Sequence, residues 1–552
     1  MTDIRRTVLW VVFTMSLVLL WDGWQKHNGH PSMFSPTAPK PAAVAGSAPG
    51  TAALPTAATL PGATAAPGTA PTAAAPSSTG ETVVISTDVV KATLDSLGGS
   101  LVRVELLKHK DETDPSGHIV VLDRSAQRVY LAQTGLVGVA GAPSHLTQMS
   151  LVPGERSLKD GEQSLVVRFE SPEQGGVKLV KTYTFKRGDY AVDVKHEVLN
   201  TSAAPLTPQL YTQLVRDGNP LPNESSFYFT FTGPAMYTDK SKFLKLDFKD
   251  IEKGKASVEK NASDGWVAMV QHYFASAWLH KGDSPREFYA KKVDNNLYSV
   301  GMLFPLAQLA PGASVSADHQ LFVGPQEENK LAVLAPGLEL VKDYGWFTIL
   351  SKPLFWLLDQ LHKLLGNWGW SIIALVVLLK IAFYWLNASA YRSMAKMKAV
   401  NPRITEMRER LKDKPQQMQQ EMMKIYREEK INPIGSCLPI FLQMPFFIAL
   451  YWVLLSSVEM RHAPWILWIT DLSAKDPFFV LPILMTLSSL FQVWLNPTPP
   501  DPMQAKMMWI MPLAFSFMFF FFPAGLVLYW LTNNILSIAQ QWMINRQLGV
   551  NK

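Results

Sequence analysis

Residues 370–386 read WSIIALVVLLKIAFYWL, an apolar run with one charge, Lys380, set in its middle. At 1.5 Å rise per residue, a helix puts Lys380 about 15 Å from Trp370 and about 18 Å from Arg392. A bilayer's hydrocarbon layer is roughly 30 Å thick, so this lysine falls near its midplane. Insertion scales set the cost at about 2.5 to 3.5 kcal/mol, and something must solvate the charge. Snorkelling serves residues near helix ends, and a lysine stem does not cover that distance. A carboxylate on a neighbouring helix is the other ordinary answer, yet no Asp or Glu interrupts the apolar segments that follow. Those segments carry uncharged polar groups instead: Ser436, Gln443, Ser488, Ser489, Gln492, Ser516, Thr532, Asn533, Asn534 and Gln540. The reading is a helical bundle with a water-filled cavity, a buried structural lysine being the alternative.

Working outward, apolar segments place spans at 367–391, 432–456, 478–496, 507–522 and 523–546. The stretch 507–522 is short, about 24 Å as a helix, before Pro523 and Gly525 force a tight reversal. Pro433, Pro439, Pro445 and Pro512 free carbonyls that need other partners. Residues 342–366 carry Leu354, Leu357, Leu358, Leu361, Leu364 and Leu365 at helical spacing. With Ser351 as N-cap and Pro353 at the first helical position, this predicts an amphipathic helix lying in the membrane interface.

Toward the amino terminus, Arg5 and Arg6 precede an apolar run at 8–20, with Trp10, Trp21 and Trp24 near its ends. Interfacial tryptophans favour a retained anchor at 1–25 over a cleaved signal, which makes six spans. Residues 26–80 are dominated by Ala, Pro, Thr, Gly and Ser, a composition that cannot bury a core and predicts a tether. From 81 to 341, short β-branched and aromatic runs alternate with turn residues, as at 82–86, 101–106, 177–185 and 191–198. That pattern predicts a large antiparallel sandwich.

Composition agrees with this division. The 552 residues are 48% hydrophobic and 17% charged, with mean hydropathy +0.06, intermediate between a soluble enzyme and a multispanning transporter, and the long apolar stretches after Trp346 exclude a purely cytosolic protein. The single cysteine, Cys437, permits no intrachain disulfide, so an exported domain must rely on core burial. A net charge of +6 would invite a DNA-binding reading if it were spread over a soluble surface. It is concentrated in residues 391–431, with eleven Lys or Arg against six Asp or Glu, whereas 457–477 carries only Arg461 and Lys475. The positive-inside rule therefore predicts a cytoplasmic 392–431 and an external sandwich, with both termini cytoplasmic, the inner loop at 497–506 and the tail at 547–552.

Within that basic segment, Met397, Val400, Ile404, Met407 and Leu411 keep heptad spacing, and Met418, Met422 and Ile425 add a second stripe. They predict an antiparallel helical hairpin, with Asn401 and Pro402 opening a helix or breaking the run. Lys396, Lys398, Arg403, Arg408 and Arg410 are candidate docking residues for RNA, acidic partners or lipid headgroups; a merely solvated face is the alternative. In the spans, Met444, Phe447, Met511 and Phe515 form a soft surface that suits either lipid or varied partner helices.

The motifs GNWGWSI (366–372), SMAKM (393–397), MRERL (407–411), NPIGSCLPIFLQMPFFIALY (432–451), WITDLSAKDP (468–477), LPILM (481–485), DPMQ (501–504) and FPAGLVLY (522–529) resemble the YidC membrane-protein insertases, in the long Gram-negative form with a periplasmic domain. The resemblance covers essentially all of 344–547 and is specific. It implies an α-helical polytopic inner-membrane protein with six spans, a five-helix insertase core and an all-β periplasmic supersandwich resembling sugar mutarotases. It further implies a hydrophilic groove around Lys380, Gln443, Ser436, Ser516, Thr532 and Asn533. Nascent membrane proteins would slide past Met444, Phe447, Met511, Phe515, Tyr529 and Trp530 into the lipid bilayer. The Sec translocon, the ribosome and targeting factors are the implied partners. No cofactor, metal or catalytic residue is implied. Lysine replaces the arginine usual in this family at position 380, and Trp385 stands where relatives often have proline.

No GxxxxGK[ST], HExxH or GxSxG motif occurs. A transporter or channel with Lys380 as counter-ion is the runner-up. A third reading is a tethered carbohydrate-active enzyme using some of His109, His118, His145, His196, His272, His280 and His319, which lack motif spacing.

Overall fold

Alternation of buried and exposed residues builds the amino-terminal half. In Ser164–Glu170, Leu165, Val167 and Phe169 face inward while Val166 and Arg168 face solvent, as a half-buried antiparallel strand requires. The computed structural model describes residues 80–111, 114, 116–221, 230–411, 414–429, 438–496 and 502–547. The expected anchor and nearly all of the tether, together with Ser436, lie outside the described residues.

Two antiparallel sheets form the sandwich. The first is 10-stranded: eight strands run from Thr82–Ser86 through Val90–Asp95, Ser100–Lys110, Val129–Val137, Gln209–Asp217, Leu297–Pro305 and Arg286–Asp294 to Asn261–Ala262, with His118–Val120 paired to Ser100–Lys110 and Asp123–Arg124 to Val129–Val137. The second is 9-stranded and runs from Lys242–Lys245 through Gly233–Thr238, Trp266–Gln271, Phe274–Leu279, Ser314–Pro325, Ala191–Asn200, Val177–Lys186 and Ser164–Glu170 to Ser150–Leu151. Trp266, Trp278, Phe169 and Leu179 of the second sheet share one apolar core with Leu214 and Val300 of the first. Polar ties cross it as well. Trp278 Nε1 donates to Gln213 O at 3.0 Å, and the enclosed Lys181 Nζ donates to Gly98 O at 2.6 Å and Thr134 O at 2.8 Å. Burial pushes the Lys181 ammonium down to about 7.

The carboxy-terminal half is helical: α1 (Thr348–Leu365), α2 (Trp368–Ala382), α3 (Tyr384–Arg410), α4 (Pro415–Glu428), α5 (Leu438–Ser456), α6 (Val480–Leu495), α7 (Pro502–Phe519) and α8 (Ala524–Gln547). Helix α1 starts earlier than Ser351 and Pro353 suggest. Ser351 is buried inside it and donates to Ala449 O at 3.1 Å on α5, so it ties two helices instead of capping one. Gly366, at φ 67°, ends α1. Asn367 then caps α2 by accepting from Trp370 N at 3.1 Å and anchors it by donating to Pro464 O and Trp465 O.

Between α2 and α3 the chain bends by 69°. The break falls at Phe383, where no proline stands, and α3 then runs unbroken through Pro402. This differs from the helix start expected at Asn401 and Pro402. Packing accompanies the bend: Tyr384 O accepts from Gln540 of α8 at 3.4 Å and Asn387 Oδ1 accepts from Gln443 of α5 at 2.6 Å, while the backbone bonds Phe383 N to Leu379 O and Asn387 N to Phe383 O are kept. Among the described residues no single helix is long and apolar enough to cross a membrane; the bent pair passes the test together. The count of six spans is thus not established by these helices.

Helices α3 and α4 close a hairpin over Val400, Ile404, Met407 and Ile425. The segment after α5 plugs into the sandwich: Val458 joins its core, His272 Nε2 meets Leu455 O at 3.0 Å, and Lys342 pairs with Glu459 at 3.0 Å. Burial pushes the His272 imidazole down to about 4.

Candidate functional site

Helix α8 organises the site because it packs against α2, α3, α5 and α6 at once. Its Tyr529, Asn533 and Ser537 follow one another at intervals of four residues and therefore share a face. Toward that face Lys380 extends from the last turn of α2. Lys380 Nζ donates to Ser537 Oγ at 2.7 Å, and Ser537 Oγ donates to Asn533 O at 2.7 Å. Among the described residues Lys380 has no carboxylate partner.

A pocket opens beside the ammonium. It is lined by Lys380, Asn387, Gln443, Phe447, Tyr529 and Asn533, with Val376, Leu379, Phe383 and Phe446 as its apolar wall. Gln443 Nε2 donates to Asn387 Oδ1 at 2.6 Å, and both side chains are buried. The space available to water centres is about 20 Å³, room for about one molecule.

Of the predicted groove residues, Lys380, Gln443 and Asn533 meet at this pocket. Ser516 and Thr532 do not line it: each hydroxyl turns back onto its own helix, to Pro512 O at 2.6 Å and to Leu528 O at 2.8 Å. Of the residues expected to touch a partner helix, Phe447 and Tyr529 line the pocket with rings 6.2 Å apart. Trp530 packs on Phe519 at 4.7 Å and Phe522 at 6.0 Å. Met444, Met511 and Phe515 are exposed. Asn387 and Ser537 were not singled out from the sequence. The four-residue spacing from Asn533 points to Ser537, and the seven-residue spacing from Lys380 points to Asn387.

On the hairpin, Arg403 bridges α3 to α4 through Glu428 at 3.0 Å and Glu429 at 3.3 Å. Lys396 and Arg410 are exposed, Arg408 is half-buried, and Lys398 lies on α3.

In the sandwich three histidines scattered in sequence do meet: His319 lies 4.9 Å from His280 and 5.5 Å from His196, ring to ring. Burial pushes His319 down to about 3, with His280 and Arg286 adding to the effect, so it is neutral.

Comparison with known proteins accounts for both halves. The YidC periplasmic domain family matches residues 82–357, and the 60Kd inner membrane protein family matches 360–551. The membrane protein insertase YidC of Cupriavidus necator is 58% identical over 554 residues, covering 100% of this chain and 99% of that protein. That of Janthinobacterium sp. is 53% identical, covering 99% and 100%. Among solved structures, an active YidC insertase with its first transmembrane domain resolved has a TM-score of 0.38 at 19% identity, covering 84% of this chain and 92% of that one. A galactose mutarotase related enzyme from Lactobacillus acidophilus has a TM-score of 0.30 at 11% identity, covering 44% and 97%. The chain belongs to the YidC membrane protein insertases, a family of inner-membrane proteins with a periplasmic domain, and its function is the non-enzymatic one of membrane protein insertion. The transporter and carbohydrate-enzyme readings fall away.

Proposed function

We propose that insertion runs through the pocket at Lys380, which receives a short polar or acidic segment of a client while the client's apolar helix passes into lipid. The observation that carries this reading is the pairing of the ammonium with one neutral hydroxyl and, among the described residues, no carboxylate. A cation held in apolar surroundings without a counter-charge attracts one. Gln443 and Asn533 share the wall of the same pocket and support the reading, Ser436, Ser516 and Thr532 being further polar groups of a wider groove. Met444, Phe447, Met511, Phe515, Tyr529 and Trp530 offer client helices soft and aromatic contact.

In this reading residues 1–25 anchor the chain, 26–80 tether the sandwich of 81–341 in the periplasm, 342–366 lie at the interface, and both termini face the cytoplasm. The spans are 367–391, 432–456, 478–496, 507–522 and 523–546. The hairpin of 392–431 docks ribosome, targeting factors or lipid headgroups through Lys396, Lys398, Arg403, Arg408 and Arg410, and the chain works alone or with the Sec translocon.

Depletion of the parent followed by rescue tests the mechanism. Lys380→Arg is expected to insert a small client with an acidic translocated tail as the parent does, and Lys380→Glu to fail. Full insertion by Lys380→Glu would overturn the electrostatic reading.

A further inference from the structure

The pocket at Lys380 is asymmetric in what it still offers. An ammonium has three N–H donors, and Lys380 gives one to Ser537 Oγ. Asn387, 6% exposed, lines the same pocket. Its Oδ1 is engaged by Gln443 Nε2 at 2.6 Å, which turns its amide nitrogen the other way, and that nitrogen has no partner among the described residues. Tyr529, on the same wall, makes no hydrogen bond through its hydroxyl among the described residues. The unspent donors are therefore the remaining N–H groups of Lys380 and the Nδ2 of Asn387, on two helices separated by the bend at Phe383, beside the Asn533 amide, which brings both a donor and an acceptor.

Such a seat is completed by a group that only accepts. A carboxylate has two oxygens with about four lone-pair sites and can take the ammonium on one side and an amide N–H on the other. A side-chain amide of the same shape brings its own N–H₂ against donors, and a buried donor left unpaired is costly. Charge attraction by itself acts at longer range and does not separate these cases by shape; the second donor does.

We propose that Asn387 is a specificity-determining residue: with Lys380 it forms a two-sided donor seat for a single Asp or Glu carboxylate of an inserting client. Asn387 follows Lys380 by seven residues, a spacing that shares a helix face, and with the bend between them both line the pocket. This inference rests on the reading that clients use the Lys380 pocket.

The test uses the full-length chain in the depletion and rescue assay, with two clients identical except for one Asp or one Asn in the translocated tail. Asn387→Leu, close in volume but without a donor, is expected to lower insertion of the Asp client by roughly tenfold or more, the size of one charge-assisted hydrogen bond. The Asn client should change by less than about twofold. Asn387→Asp, which is isosteric, fills the seat with its own carboxylate and should remove the advantage of the Asp client; it carries the test if the leucine variant fails to accumulate. Equal loss for both clients with both variants, or no loss for either, overturns the proposal. Equal loss is also the outcome if the seat holds a lipid phosphate instead of a client carboxylate. Lys380→Ala in the same assay separates the two levels. If it leaves the Asp client unaffected, the pocket reading itself fails. If it impairs that client while Asn387→Leu and Asn387→Asp do not, only the role of Asn387 fails.

Discussion

Lys380 Nζ and Ser537 Oγ are 2.7 Å apart although 157 positions separate them, and this bond joins the end of α2 to the middle of α8. Ser537 Oγ donates its hydrogen bond to Asn533 O, so its lone pairs are turned to the ammonium and the serine acts as an oriented acceptor.

Ser537→Ala deletes that acceptor and leaves the ammonium without its described partner. Insertion of an acidic-tailed client is expected to drop about tenfold or more, the scale of a hydrogen bond to a charged group. Ser537→Thr keeps the hydroxyl and should restore it. Protease protection of the translocated tail is the measurement; equal loss with threonine would assign Ser537 to packing instead.

The fully enclosed Lys342 contacts both oxygens of Glu459, at 3.1 and 3.0 Å, and lies 3.7 Å from the centre of the Phe355 ring. It thereby fastens the end of the sandwich to the segment following α5. Breaking a buried pair from one side costs about 3–5 kcal/mol, and the partial exposure of Glu459 moves the expectation to about 2–3. Glu459→Gln, which leaves the enclosed ammonium without its counter-charge, should lower the unfolding temperature of the purified chain, and Lys342→Met, which leaves only the part-exposed carboxylate, should lower it less. Unchanged melting for both would mean that the pair contributes nothing to the junction.

Gly265 sits at φ +97°, and a Cβ there would lie 2.0 Å from Tyr237 O, a backbone atom in the paired strand. Strain and overlap act together, so Gly265→Ala is expected to cost about 2 kcal/mol or more. Gly188→Ala, at φ +70° with nothing within 4 Å, provides the control for strain without overlap. Chemical denaturation followed by tryptophan fluorescence separates them.

Acid should loosen the sandwich before it unfolds the helices. Burial lowers His145 from 6.5 to about 4 and His319 from 6.5 to about 3. Each folded-state value lies below the unfolded one, so between these limits the unfolded chain binds protons that the native chain refuses, and stability rises with pH. Their contribution is intact above pH 6.5 and is lost as pH falls toward about 4 for His145 and about 3 for His319. Melting temperature against pH is the test, and His319→Gln should flatten the slope across that interval.

Much of this was legible because it is local. The alternation in Ser164–Glu170, the apolar stripe that closes α3 on α4 and the isolation of Lys380 among aliphatic residues are all periodic or compositional signals. Pro402 misled because proline disfavours a helix interior by itself, whereas α3 is held on both sides of it by packing on α4 and α8. At Ser516 and Thr532 a related limit applies to spacing: a hydroxyl in a helix can bond its own preceding turn, as both do, and periodicity does not say which partner it takes.

The sequence by itself determined that a sandwich precedes a helical region and that one cation must be accommodated among apolar residues, since burial pattern and charge are properties of the chain read in order. Only the tertiary structure decided that the break falls at Phe383, that Ser537 takes the ammonium and that Asn387 lines the same pocket. Those outcomes depend on how α2, α3, α5 and α8 are rotated about their own axes, and packing between helices sets that rotation.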